Sequence, residues 1–167
     1  MKILGLDQAE LVVLVGQCAQ LLVDTCGVRR DYGDCGYYGY FTGFHYMGGG
    51  RIRTFHIGDC PPEKRDKHFR LSREKALRLH SLPHHDTSFP SRNLDKGKFP
   101  GAIRVKPDIL SNSGFRDPLA DEALTIVVAK KAGQIDIARM ESLIVPSENP
   151  YIRIILTMSL KNPSILQ

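Results

Sequence analysis

Several things are missing from this chain of 167 residues, and each absence narrows its class. Its four cysteines, Cys18, Cys26, Cys35 and Cys60, include no C-x-x-C pair. That argues against a paired-thiolate zinc knuckle and a thioredoxin motif. Scattered along a chain of this length, they read as free thiols of a reducing compartment rather than a disulfide framework. Long hydrophobic runs are scarce too. The uncharged stretch 11–23 is 13 residues, too short to span a bilayer, and Asp7 and Glu10 interrupt the region where a signal peptide is apolar. The expected setting is therefore cytoplasmic, with no membrane. No G-x-S-x-G elbow, H-E-x-x-H pair or kinase signature occurs. The triplet Gly48-Gly49-Gly50 lacks the lysine and Ser/Thr of a P-loop, and no Rossmann fingerprint supports a doubly wound fold. Repeats and low-complexity tracts are absent, and the length suits a single domain.

What is present is an uneven charge. The net charge is +5, but residues 51–106 hold 14 Lys/Arg against six Asp/Glu, while both flanking segments are close to neutral. All six histidines fall between positions 45 and 85. A basic centre of this kind suggests an anionic partner or ligand, against the plainer reading of a solvated basic surface.

Hydrophobic periodicity places the elements. Residues 7–26 read as a helix with Asp7 as N-cap and Gly27 just past its end. A glycine- and tyrosine-rich connection follows at 29–40. Two β-rich runs around the glycine triplet, 40–58, read as a hairpin. Pro61-Pro62 leads into a basic helix over 63–81, with Phe69, Ala76 and Leu79, flanked by Leu71 and Leu77, as its buried side. Residues 83–99 read as a long loop, then 101–105 and 109–114 as short strands. Asp117 and Pro118 open a helix over 118–132, closed by Gly133. A helix at 135–144 and a last strand at 151–160 complete the chain. This order predicts an α+β fold, a central antiparallel sheet packed by helices.

Three pieces, SREKALRLHS at 72–81, FPGAIRV at 99–105 and SGFRDPLADEALTIVVAKKAG at 113–133, stand in a suggestive order. Together they resemble the GlcG/HbpS family, also called the haem-degrading domain family. Lys75-Ala76, Gly101-Ala102-Ile103 and Asp121-Glu122-Ala123 carry the resemblance, over about residues 72–133. The resemblance implies a profilin-like α+β fold, assembly into homo-oligomers, and in some members binding of haem or a related tetrapyrrole. Residues 106–112 intervene between the Gly-Ala-Ile strand and Ser113-Gly114, a departure from the family pattern that bears on any ligand pocket.

Several constellations can carry chemistry. His45 and His56 lie on the two hairpin runs, where adjacent strands can place both rings on one face beside the tyrosines of 32–46. There they would line a planar-ligand pocket, either ring serving as an axial haem ligand. Arg51, Arg53 and Lys75 add positive charge for an anionic group. SNSGFRD at 111–117 is an anion-site candidate through Ser111, Ser113, Arg116 and the N–H groups of a helix start, although Asp117, Asp121 and Glu122 compete there. His80, His84 and His85, with Asp86, are a candidate transition-metal cluster, weakened by Pro83 between them. The leading expectation is a GlcG/HbpS-like protein binding a small anionic or planar ligand. Alternatives are an enzyme acting on a phosphorylated or carboxylated metabolite with a His-bound metal, and a basic nucleic-acid-binding module built on helix 63–81. The last is less favoured, because acids interleave the cations.

Overall fold

The computed structural model describes residues 2–29, 37–47 and 49–167. Tyr32, Cys35 and most of the connection read at 29–40 lie outside the described residues, as does Gly48. The elements follow the order α1 (Gln8–Cys26), β1 (Gly39–His45), β2 (Arg51–Ile57), α2 (Pro62–His80), β3 (Ala102–Val105), β4 (Asp108–Ser113), α3 (Pro118–Lys131), α4 (Ile137–Ile144) and α5 (Pro150–Lys161). This is an α+β fold with a central antiparallel sheet in the strand order β2-β1-β4-β3.

Local signals explain most boundaries. Asp7 and Glu10 form a reciprocal capping box at the start of α1, and Gly27 ends it in the left-handed conformation. By length and composition alone α1 is apolar enough to cross a membrane. Here Leu11, Val15, Cys18, Ala19 and Leu22 are buried in the main core. Asp117 caps α3 through the Leu119 N–H, with Pro118 at its first position.

The closing element is a helix, α5, where 151–160 was expected to be a strand. Asn149 accepts from the Tyr151 and Ile152 N–H groups, and Pro150 occupies the first helical position. Ile152 and Ile155 are the buried side chains, three apart as a helix requires. The isoleucines and threonine that suggested a strand are overruled by this cap and by packing on α1 and α3.

Strand register assigns the faces. Tyr40, Thr42 and Phe44 pair with His56, Thr54 and Ile52, and with Ser113, Ser111 and Ile109 on the other side. Paired residues share a face, so this set looks toward α2. Phe41, Gly43 and His45 look the other way, toward α1 and α3, with α5 packed outside them. The segment 86–88 runs along β3, with Ser88 N donating to Ala102 O (2.9 Å) and Arg104 N to Asp86 O (2.8 Å). The expected loop 83–99 thus covers one sheet edge before two short 3-10 turns, Phe89–Ser91 and Leu94–Lys96. The other edge strand of the sheet is β2.

Helix α2 is rotated from its expected setting. Ala76 and Leu79 are buried as foreseen, but Phe69 and Leu77 are 39% and 46% exposed. His68, Ser72 and Lys75 take the inward positions. The sheet face beneath carries the hydroxyls of Thr42 and Ser111, and polar side chains of α2 meet them.

Candidate functional site

The buried polar centre of the molecule lies where α2 passes the end of β4 and the first turn of α3. Asp121 Oδ2 accepts from Lys75 Nζ (2.8 Å). Its other oxygen, Oδ1, accepts from Asn112 Nδ2 (2.7 Å), Gly114 N (3.2 Å) and Phe115 N (3.1 Å). Lys75 Nζ also donates to the Asn112 carbonyl (2.7 Å), and the Tyr37 hydroxyl donates to Asn112 Oδ1. Lys75 is 1% exposed, Asp121 3% and Asn112 0%. Burial pushes the Asp121 carboxyl above its usual range, against the pull of the Lys75 ammonium and the N–H donors. The Tyr37 phenol is pushed well up by burial and by the Asp121 charge.

Backbone geometry makes room for this pair. Gly101 has φ +123°, and a Cβ there would sit 2.9 Å from both Asp121 Cβ and Lys75 Nζ. Each of the three pieces of sequence singled out at 72–81, 99–105 and 113–133 therefore contributes one member: Lys75, Gly101 and Asp121. The turn 111–117 is explained as well. The N–H groups of Gly114 and Phe115 hold Asp121, and the Leu119 N–H at the helix start, part of the candidate anion site, is taken by Asp117.

A small cleft of about 70 Å³ opens beside this centre, lined by Lys67, His68, Lys75, Ser113, Phe115 and Arg116, among others. With a water's share of liquid near 30 Å³, it has room for a group of a few heavy atoms. His68 is buried and shares a hydrogen bond from Nδ1 with Ser113 Oγ (3.0 Å). Arg116 is exposed at the rim. It also lines a wider depression of about 480 Å³ with Val28, Arg29 and Tyr151.

The other expected site residues are dispersed. His45 and His56 lie on opposite faces of the sheet, because His45 pairs with Arg51 while His56 pairs with Tyr40, one residue out of phase. They cannot line one pocket as expected. His45 Nδ1 donates to Asp108 Oδ1 (2.8 Å), whose Oδ2 accepts from Leu4 N (2.8 Å). His56 Nε2 accepts from Cys60 N (3.2 Å). Arg51 and Arg53 are exposed on β2, remote in register from the β4 end that carries Ser113.

Nor do His80, His84 and His85 converge. The His80 ring packs edge-on to Phe44, with centroids 4.7 Å apart, and lies near Tyr46. After the α2 C-terminus the chain folds back along β3, which draws His85 and Asp86 away from His80. Their carbonyls accept from Arg104, and the Asp86 carboxylate pairs with Arg139 (3.0 Å). Among the described residues no group of three His, Cys, Asp or Glu side chains is placed to hold a metal ion.

Asn112 and His68 were missed in the sequence, and Asp121 stood there only in the Asp-Glu-Ala motif and as a competitor for an anion. A sharper signal was available: a carboxylate one turn into a helix, following a Gly-containing turn whose N–H groups need a partner. No family model, curated protein or solved structure matches the chain.

Proposed function

We propose that this chain is a small-ligand-binding domain of the GlcG/HbpS-like, profilin-like kind, and that the α2/β4–α3 cleft takes the anionic group of its ligand. The observation that carries this reading is the convergence of Lys67, His68, Lys75 and Arg116 on a cleft with one carboxylate, Asp121, which is already engaged by Lys75 and three N–H donors. Two of the three Lys75 ammonium donors are engaged as well, leaving one for a ligand oxygen. The cleft volume suits a carboxylate or phosphate group, with the ligand body extending over Arg116 into the wider depression. The free thiols Cys18, Cys26 and Cys60 fit a reducing, cytoplasmic setting.

Inorganic phosphate and short mono- and dicarboxylates, titrated calorimetrically, test this. At least one should bind saturably, and Arg116→Ala should weaken it about tenfold, the loss of one charge-assisted hydrogen-bonding group. Absence of saturable binding by any of them would end the reading. Native mass spectrometry of the same sample reads the homo-oligomer that the family resemblance implies.

A second reading is favoured by His45. The Asp108 carboxylate fixes its tautomer with Nδ1 protonated, which leaves Nε2 as the ligating nitrogen on a partly exposed ring. This arrangement suits an axial ligand to haem at the surface. A Soret shift on haem addition that vanishes in His45→Ala and survives in His56→Ala would support it. An unchanged spectrum in His45→Ala would remove it.

A further inference from the structure

Helix α2 lies chiefly over β1 and β4 and leaves the adjoining part of the same sheet face, on β2, poorly covered. Ile52 and Thr54 are half-buried there and His56 is exposed. On this shoulder three rings meet. Tyr40 and His56, cross-strand partners, lie with centroids 5.2 Å apart and planes 32° from parallel. Phe69 of α2 stands edge-on to Tyr40 at 5.7 Å, and the Arg73 guanidinium lies 5.4 Å from the Phe69 centroid. The rings are held in place. Cys60 N donates to His56 Nε2, and Arg65 Nε donates to Cys60 O (3.0 Å). None of this belongs to the anion cleft, which opens beside the end of β4.

The charge around the rings is one-sided. Residues 51–73 carry seven Lys/Arg against the three acids Asp59, Glu63 and Asp66. Arg65 and Arg70 are exposed along α2, and Arg73 lies beside the Phe69 ring. Partly exposed rings beside cations match bases and phosphates, respectively, when the bases are unstacked. A duplex hides its base faces and presents grooves, which a flat shoulder does not enter. A second copy of this chain would bring like charges together, and an acidic peptide has no use for the rings.

We infer that the β2–α2 shoulder binds single-stranded nucleic acid, with bases on Tyr40, His56 and Phe69 and the phosphate backbone along Arg65, Arg70 and Arg73. Fluorescence anisotropy of the full chain with labelled 12-nucleotide oligouridine and oligothymidine, at low and moderate salt, tests it. Binding should weaken as salt rises. Phe69→Ala and Tyr40→Ala should each weaken it about tenfold at both salts. Arg65→Gln with Arg73→Gln should flatten the salt dependence by about one to two phosphate contacts. Circular dichroism and melting confirm that each variant is folded, and Phe69→Ala, at an exposed position, is the decisive one if Tyr40→Ala unfolds. No binding at low salt, equal binding of a duplex, or full affinity in Phe69→Ala would each overturn the inference. So would displacement of the oligonucleotide by polyglutamate at an equal concentration of charge.

Discussion

The two faces of the sheet are built on different principles. Toward α1 and α3 the buried layer is apolar almost throughout: Phe41, Phe55, Ile103 and Leu110 meet Leu124, Ile126, Val127 and Val128. Toward α2 the apolar part shrinks to Phe44, Ala76, Leu79, Ala102 and Ile109. The remainder of that layer is polar. Thr54, Thr42, Ser72 and Ser111 form a ladder of hydroxyls, and the Lys75–Asp121 pair closes it at the α3 end. An apolar layer accepts many arrangements of similar volume. A buried hydrogen-bonded layer accepts few, because each shifted partner leaves a polar group unsatisfied. The α1/α3 face thus supplies bulk stability, and the α2 face fixes where one helix sits, and with it the walls of the cleft.

Substitutions on the two faces can break or sharpen that contrast. The largest loss is expected from Asp121→Ala, which strands the Lys75 ammonium and two backbone N–H groups. About 3–5 kcal/mol should disappear in urea unfolding. Lys75→Met combined with Asp121→Asn should lose less than Asp121→Ala alone, since no charge is then left buried; an equal or greater loss would show that the pair is not the source. On the apolar face, Leu124→Ala should cost about 3 kcal/mol by opening a cavity, while leaving phosphate or carboxylate affinity of the folded protein intact. Thr42→Val removes the hydroxyl that bridges Thr54 and Ser72, with both its hydrogen bonds, at nearly constant volume. A loss of about 1 kcal/mol is expected, and a gain would mean that the ladder contributes nothing to stability.

The smallest effect concerns Glu122, fully buried behind α3, where Asn149 Nδ2 donates to one oxygen and the other has no partner among the described residues. Burial raises its carboxyl above the usual range. The fold therefore favours the protonated form, so this residue's contribution is full below the ordinary glutamate range and is lost as pH rises through the raised value. Glu122→Gln should gain on the wild type as pH rises from the ordinary glutamate range through the raised value, when the two are unfolded in parallel. A constant difference across that range would count against the shift.

Much of the fold was legible because its signals are local. The capping box at Asp7, the Asp117-Pro118 start and the hairpin each declare themselves within a few residues. Asn149-Pro150 is the same kind of signal as Asp117-Pro118, yet 151–160, rich in β-branched residues, was expected to be a strand. The rotation of α2 could not be read locally. Its inward face is set by hydroxyls on strands 30–40 residues away in sequence, so Phe69 looked buried and nothing marked Ser72 as an inward residue. Lys75 was picked out in the sequence as a ligand candidate, but its ion pair was not legible, because its partner is 46 residues distant. His45 and His56 illustrate a limit of spacing: their odd and even positions, once paired through the register, fall on opposite faces.

Gly101 has a consequence for how this sequence can change over generations. The hydrogen that it carries in place of a side chain is all the room that Lys75 and Asp121 leave. A mutation to alanine there is blocked while both partners remain, and loss of either partner alone strands the other. Positions 75, 101 and 121 should therefore drift as a linked trio. Relatives with any side chain at 101 should also have abandoned the ion pair, whereas the hydroxyl ladder is free to diverge one rung at a time.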